Sequence, residues 1–111
     1  MSGRAEVWLF IAQRASAFVL APLVIVHLAT MIYAIQGGLS AEEILARTQG
    51  SGVWGAIYGL FVLAAAIHAP IGVRSIVREM TPWRGRSLDL AAVLFGVLIV
   101  VLGVKAVGAL V

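Results

Sequence analysis

The sequence contains no cysteine. That absence excludes disulfides, a thiolate nucleophile, and iron–sulfur or zinc–thiolate sites built from this chain's own residues. Charge is scarce as well. Of 111 residues, 12% are Asp, Glu, Lys or Arg, while 62% are apolar. A soluble domain of this size could not hide so much apolar surface, whereas in a bilayer lipid is the solvent. There is no glycine-rich phosphate loop, tandem repeat, low-complexity stretch or basic-aromatic face, so nucleotide and nucleic-acid binding find no support. The N-terminal segment does not read as a cleaved signal, because Arg4, Glu6 and Arg14 interrupt it.

What is present is three long apolar runs, at about residues 11–35, 53–76 and 90–111. Each is long enough to cross the hydrocarbon as a helix. The expectation is one all-α transmembrane domain covering residues 1–111. The segment AEVWLFIAQR mixes Trp8 and Phe10 with charges and suits an interfacial lead-in. Between the first two runs, Gly37 and Gly38 can stop a helix, and Ser40 followed by Glu43 predicts a capped surface helix. Between the second and third, Pro82 and Gly85 break the helix and Trp83 suits the headgroup level. Arg74, Arg78, Arg84 and Arg86 flank that second loop, and Arg4 and Arg14 lie near the start. The first loop has Arg47 beside two glutamates. The positive-inside rule places the N-terminus in the cytoplasm and the C-terminus outside.

The two histidines, His27 and His68, both fall inside spans, where ionisable groups are costly and a functional role is the default. The plainer alternative is a neutral histidine bonding a neighbouring helix carbonyl. Ala64 and Gly72 lie one turn either side of His68 on its helical face. Such small neighbours leave a flat slot for a macrocycle, or a seam that admits another helix. His27 shares a face with Ser16, Leu20, Leu23, Thr30 and Ala34, half of it polar, so that face looks into protein. Pro22 and Pro70 free carbonyls in these spans and favour bends. At about 1.5 Å per residue, the two histidines differ in depth by roughly 10 Å. Two nitrogens on one metal are only about 4 Å apart. A metal shared between them within one chain is therefore disfavoured, and each level calls for a second ligand from another chain.

QRASAFVLAPLVIVH, HAPIGV, TPWRGRS and LGVKAVGALV carry a resemblance. The chain resembles the cytochrome b membrane anchors of succinate dehydrogenase and fumarate reductase, and looks most like one half of the two-haem, five-span anchors. The resemblance implies a haem-b-binding anchor that carries electrons between a docked iron–sulfur subunit and quinone. Its soluble partners would be a flavoprotein and an iron–sulfur subunit on the cytoplasmic side of the cell inner membrane. By the same resemblance, His68 is an axial ligand of the proximal haem and His27 of the distal haem. The chain departs from the five-span pattern in having three spans and half the histidines, so the ligand count requires a second anchor chain, identical or homologous. One or two haems per anchor dimer follow. In the three-span, one-haem anchors only His68 has a counterpart, which makes it the firmer ligand.

The haem propionates implied by the resemblance need cationic or hydroxyl partners, for which Arg14, Ser16, Arg74 and Arg78 are the candidates. A quinone pocket needs an apolar slot with one or two donors. Ser16, Arg14, Glu79 and Trp83 offer these near the inner side, and Tyr33, Trp54 and Tyr58 near the outer side. Two other classes stay open: a haem-free structural membrane subunit, and a small proton-conducting or transport protein.

Overall fold

The computed structural model describes residues 2–111 and is wholly helical apart from its turns. Four helices follow in order: α1 (Gly3–Gln36), α2 (Ala41–Thr48), α3 (Gly52–Met80) and α4 (Arg86–Leu110). Three of them, α1, α3 and α4, are long and apolar enough to cross a membrane. Their bounds enclose the three expected spans except for Val111, just beyond the end of α4. The lead-in is continuous with the first span. Ser2 caps α1, its hydroxyl accepting from the Ala5 amide at 3.2 Å, and the helix runs through Trp8 and Phe10 without a break. At about 1.5 Å per residue its 34 residues reach roughly 51 Å, beyond the roughly 30 Å of hydrocarbon. Helical assignment also runs unbroken through Pro22 and Pro70.

The turns follow local chemistry. Gly37 ends α1, and Gly38, at φ +64°, adopts the left-handed conformation that closes the helix. The Gly38 and Leu39 amides then bond the Ile35 and Ala34 carbonyls, satisfying the end of the helix. The capping box of α2 is present as expected: Ser40 and Glu43 each receive the other's backbone N–H at 3.2 Å. Ser51 caps α3 through the Trp54 amide.

α3 is the central helix. It packs antiparallel against α1 on one side and α4 on the other, while α1 and α4 barely meet. Very little is buried in the soluble-protein sense. Ala64, Pro70 and Leu88 are the only buried apolar residues among those described, and most large aliphatic side chains point outward. This is the pattern of a chain solvated by lipid, where close packing and polar links replace a hydrophobic core.

Glycine makes the α3–α4 seam possible. A Cβ on Gly96 would sit 3.2 Å from the Pro70 ring and 3.3 Å from the Ala66 carbonyl, the group that Pro70 leaves without its helical donor. A Cβ on Gly103 would overlap the Val62 side chain. At the end remote from the arginine-rich loop, α2 closes the bundle. The Thr48 hydroxyl donates to the Leu110 carbonyl at 2.7 Å, and the Gly50 amide to Val111 at 3.1 Å. These bonds satisfy oxygens that the end of α4 would otherwise leave open.

Replacing Gly103 by Val forces the α3–α4 seam apart, and overpacking of this kind costs about 1–3 kcal/mol. The denaturation midpoint in mixed detergent micelles is expected to fall for Gly103→Val and to hold for Gly59→Ala, a position with no neighbour within 4 Å of the added Cβ.

Candidate functional site

Both histidines face the α1–α3 seam, at different heights. His68, on α3, meets Ser16 of α1: its Nδ1 lies 3.2 Å from the Ser16 Oγ. Ser16 is buried, and its hydroxyl also donates to the Gln13 carbonyl of its own helix at 3.0 Å. A hydroxyl has one hydrogen. With that hydrogen on Gln13, the contact to His68 is satisfied only if Nδ1 carries the imidazole proton and donates it. The Nε2 of His68 then keeps its lone pair, uncommitted.

The small residues beside His68 admit α1. Ala64 is buried, and a Cβ on Gly72 would lie 3.2 Å from the Gln13 amide nitrogen. The Gln13 amide oxygen is buried without a partner. So the seam reading of the Ala64–Gly72 spacing describes the face toward α1. Arg14 follows Gln13 and points away, exposed, its guanidinium 5.8 Å from the Phe10 ring centroid. Among the described residues it makes no ion pair.

His27 sits toward the other end of the seam, edge-on to Tyr58 (centroids 5.9 Å apart, 87° between planes) and tilted against Phe61 at 5.5 Å. Its neighbour Thr30 donates to the His27 carbonyl at 2.8 Å and lies 3.4 Å from the Tyr58 hydroxyl. The His27 Nδ1 is buried and has no partner. The two histidines are separated by eleven residues along α1 (Ser16 to His27) and seven along α3 (Phe61 to His68). At about 1.5 Å per residue that is roughly 10–16 Å. The contacts therefore place the rings on separate levels, as the sequence count suggests.

The third feature is ionic. Arg74 is buried, and its Nε donates to Asp89 of α4 at 2.8 Å while its Nη2 donates to Glu6 of α1 at 2.9 Å. Arg78 adds a contact to Glu6 at 3.1 Å. One guanidinium thus joins all three long helices. The sequence suggested Arg74 and Arg78 as anion partners. The structure gives both to this chain's own carboxylates, and neither Glu6 nor Asp89 was singled out as their partner. The acidic residues on two apolar helices at the basic end were the available signal. The residue missed at the seam itself is Gln13, as a neighbour of the His68 face, whereas Thr30 lies on the His27 face as its spacing suggests.

The match that decides the family covers residues 1–104, which fit the succinate dehydrogenase/fumarate reductase transmembrane subunit. The chain belongs to this family. It is accordingly a multi-pass membrane anchor subunit of that complex, as the three apolar helices require. No curated protein and no solved structure matched.

The ionic joint makes a graded prediction. Removing one partner of a buried charge cluster strands the others, at about 3–5 kcal/mol for a fully enclosed case. Partial exposure of Glu6 and Asp89 lowers that figure. Arg74→Met is expected to depress the denaturation midpoint well below that of Arg78→Met. The Arg78 side chain is 38% exposed and makes a single contact.

Proposed function

We propose that this anchor subunit holds haem b through His68 and conducts electrons between an iron–sulfur subunit and quinone. The observation that supports this most directly is the hydrogen-bonded pair of Ser16 and His68. Metal-bound histidines ordinarily donate their second ring N–H to a fixed partner, which sets tautomer and ring orientation. Ser16 supplies that partner for Nδ1, and Nε2 is the free ligand atom. The donor set therefore fits a haem iron. Bound there, the haem supplies one-electron chemistry. The protein's own part is to fix the imidazole, exclude water and balance charge.

Arg14 is the residue best suited to a propionate. It lies beside the Gln13–Ser16 turn, is exposed and has no carboxylate partner among the described residues. Arg74 and Arg78 fit the ionic joint better, while Ser16 fits the His68 contact better than a propionate. A second ligand would be supplied by a second anchor chain, since His27 lies on another level. The basic end, with Arg4, Arg78, Arg84 and Arg86, is cytoplasmic by the positive-inside rule, in the cell inner membrane. The flavoprotein and iron–sulfur subunits dock on that side. The chain offers no flavin or cluster motif of its own, so the dicarboxylate chemistry belongs to those partners.

Reduced-minus-oxidised spectra of the complex, purified with its partner subunits, test the reading. A sharp α band is expected, lost in His68→Ala. An unchanged spectrum in that variant would overturn the assignment, and no band in the native complex would favour the haem-free structural subunit.

Ser16→Ala removes the acceptor of Nδ1. Changes of this type typically weaken metal affinity about 10–100-fold. Haem retention during detergent washing should fall and the midpoint potential should move. Ser16→Thr, which keeps the hydroxyl, should restore both.

A further inference from the structure

On one side of α3 the bundle is open. α1 and α4 barely meet, and between them lies a groove of about 560 Å³ that runs along α3 and α4, with Leu9 of α1 on its third side. We propose that this groove holds one acyl chain of a diacyl glycerophospholipid from the cytoplasmic leaflet, with Arg74 donating to an ester carbonyl of that lipid. The site draws on neither the haem nor the quinone reading.

Arg74 has donors without partners. A guanidinium carries five N–H groups. One, on Nε, is committed to Asp89, and one, on Nη2, to Glu6. The other three have no acceptor among the described residues, although Arg74 is only 6% exposed. A donor left unpaired in apolar surroundings is costly. Arg74 lines the groove, and its unbonded Nη1 is not sealed off by protein. The groove is therefore the side from which an acceptor can reach it.

Charge narrows the acceptor. Arg74 and Arg78 face Glu6 and Asp89, so the ionic joint is neutral as it stands. It calls for a lone pair rather than for a further negative charge. The carbonyl of a fatty ester meets that requirement, while the phosphate beyond it stays at the headgroup level.

Shape selects the tail. The floor is made of small side chains and a ring: Pro70 is buried, and Ala66, Ala92 and Gly96 are half-buried beside it. Exposed aliphatic side chains form the rims, Ile67 on α3 and Val97 on α4 among them. From Asp89 to Val101 the groove follows α4 for about 18 Å, at about 1.5 Å per residue. One leaflet contributes about 15 Å of hydrocarbon, half of the bilayer core. A single tail that starts at Arg74 thus runs the length of the groove. No aromatic ring lines it, in contrast to the cavity beside His27, which Tyr33, Trp54 and Tyr58 line. It suits a flexible chain and offers a planar ring no flat wall.

Photocrosslinking tests the site. The intact complex with its partner subunits, in dodecyl maltoside micelles, is titrated with phosphatidylethanolamine that carries a diazirine in one acyl chain. Saturable label is expected on α3 between Leu63 and Ile71 and on α4 between Ala92 and Val101. Unlabelled diester phosphatidylethanolamine should displace it, and phosphatidylglycerol with the same chains should do so equally well. The diether analogue, which lacks the carbonyls, should need about tenfold more, the measure of one hydrogen bond to a charged donor. Ala92→Phe fills the floor and should cut the groove label about tenfold, a similar loss of one well-packed contact set. Val97→Trp, at an exposed rim position, should do likewise even if Ala92→Phe does not assemble.

Label spread without saturation over the outward faces of α1 and α4 would overturn the proposal, because it would mark ordinary solvating lipid. Equal displacement by diester and diether lipid would remove Arg74 from the contact and overturn it too. So would preferential displacement by phosphatidylglycerol, which would move the acceptor to an anionic headgroup, or displacement by a short-tailed quinone in place of phospholipid.

Discussion

In hydrocarbon no water is on hand to complete a polar contact, and lipid tails are as apolar as leucine. Burying aliphatic side chains gains little there, so the long helices must be joined by close approach and by polar groups that satisfy one another. The arrangement around α3 obeys this constraint throughout. On the α4 side, glycines bring backbone against Pro70 and Val62. On the α1 side, the Ser16–His68 and Thr30–Tyr58 contacts bridge the seam. At the basic end Arg74 links one carboxylate from each flanking helix. Every one of these joints uses α3, which explains why α1 and α4 need hardly touch.

The same seam gives its two histidines opposite surroundings. His68 has a buried hydroxyl as acceptor for one nitrogen, and that hydroxyl is itself held by a backbone carbonyl. His27 has aromatic rings around it and an enclosed nitrogen with nothing to bond. Two residues of one type, on antiparallel neighbours, thus meet different hydrogen-bonding surroundings. The difference arises from what stands opposite each ring: a serine whose hydrogen is already committed, or tyrosine and phenylalanine.

Much of the fold was legible because its signals are local. Hydrophobic run length gave the three spans. Ser40 and Glu43 announced α2, and Gly37–Gly38 the end of α1. The depth difference of the histidines also followed, since helix rise is fixed. What could not be read was pairing across helices. Nothing in the spacing of Arg74 says that its partners are Glu6, sixty-eight residues earlier, and Asp89, fifteen later. The Ala64–Gly72 pattern left open whether a macrocycle or a helix lies against it, and the structure sets Gln13 of α1 against Gly72. The cavity by His27 was visible only in parts. Tyr33, Trp54 and Tyr58 were noted as a group, but Arg47 and Thr48 come from α2, whose placement against α4 depends on contacts remote in sequence.

The shared guanidinium of Arg74 also bears on how the polypeptide enters the bilayer. An arginine in an apolar segment is expensive to insert, at about 2.5–3.5 kcal/mol near the helix centre and less toward its ends. Glu6 is synthesised long before Arg74, so the second long segment arrives with a counter-charge already waiting at the same membrane face. The contacts of α1 with α3 alone already give Arg74 a carboxylate partner in Glu6, and Asp89 adds the link to the last segment. Chain order and charge order therefore coincide: the carboxylate on the first helix precedes the arginine it pairs with, and the second carboxylate follows it.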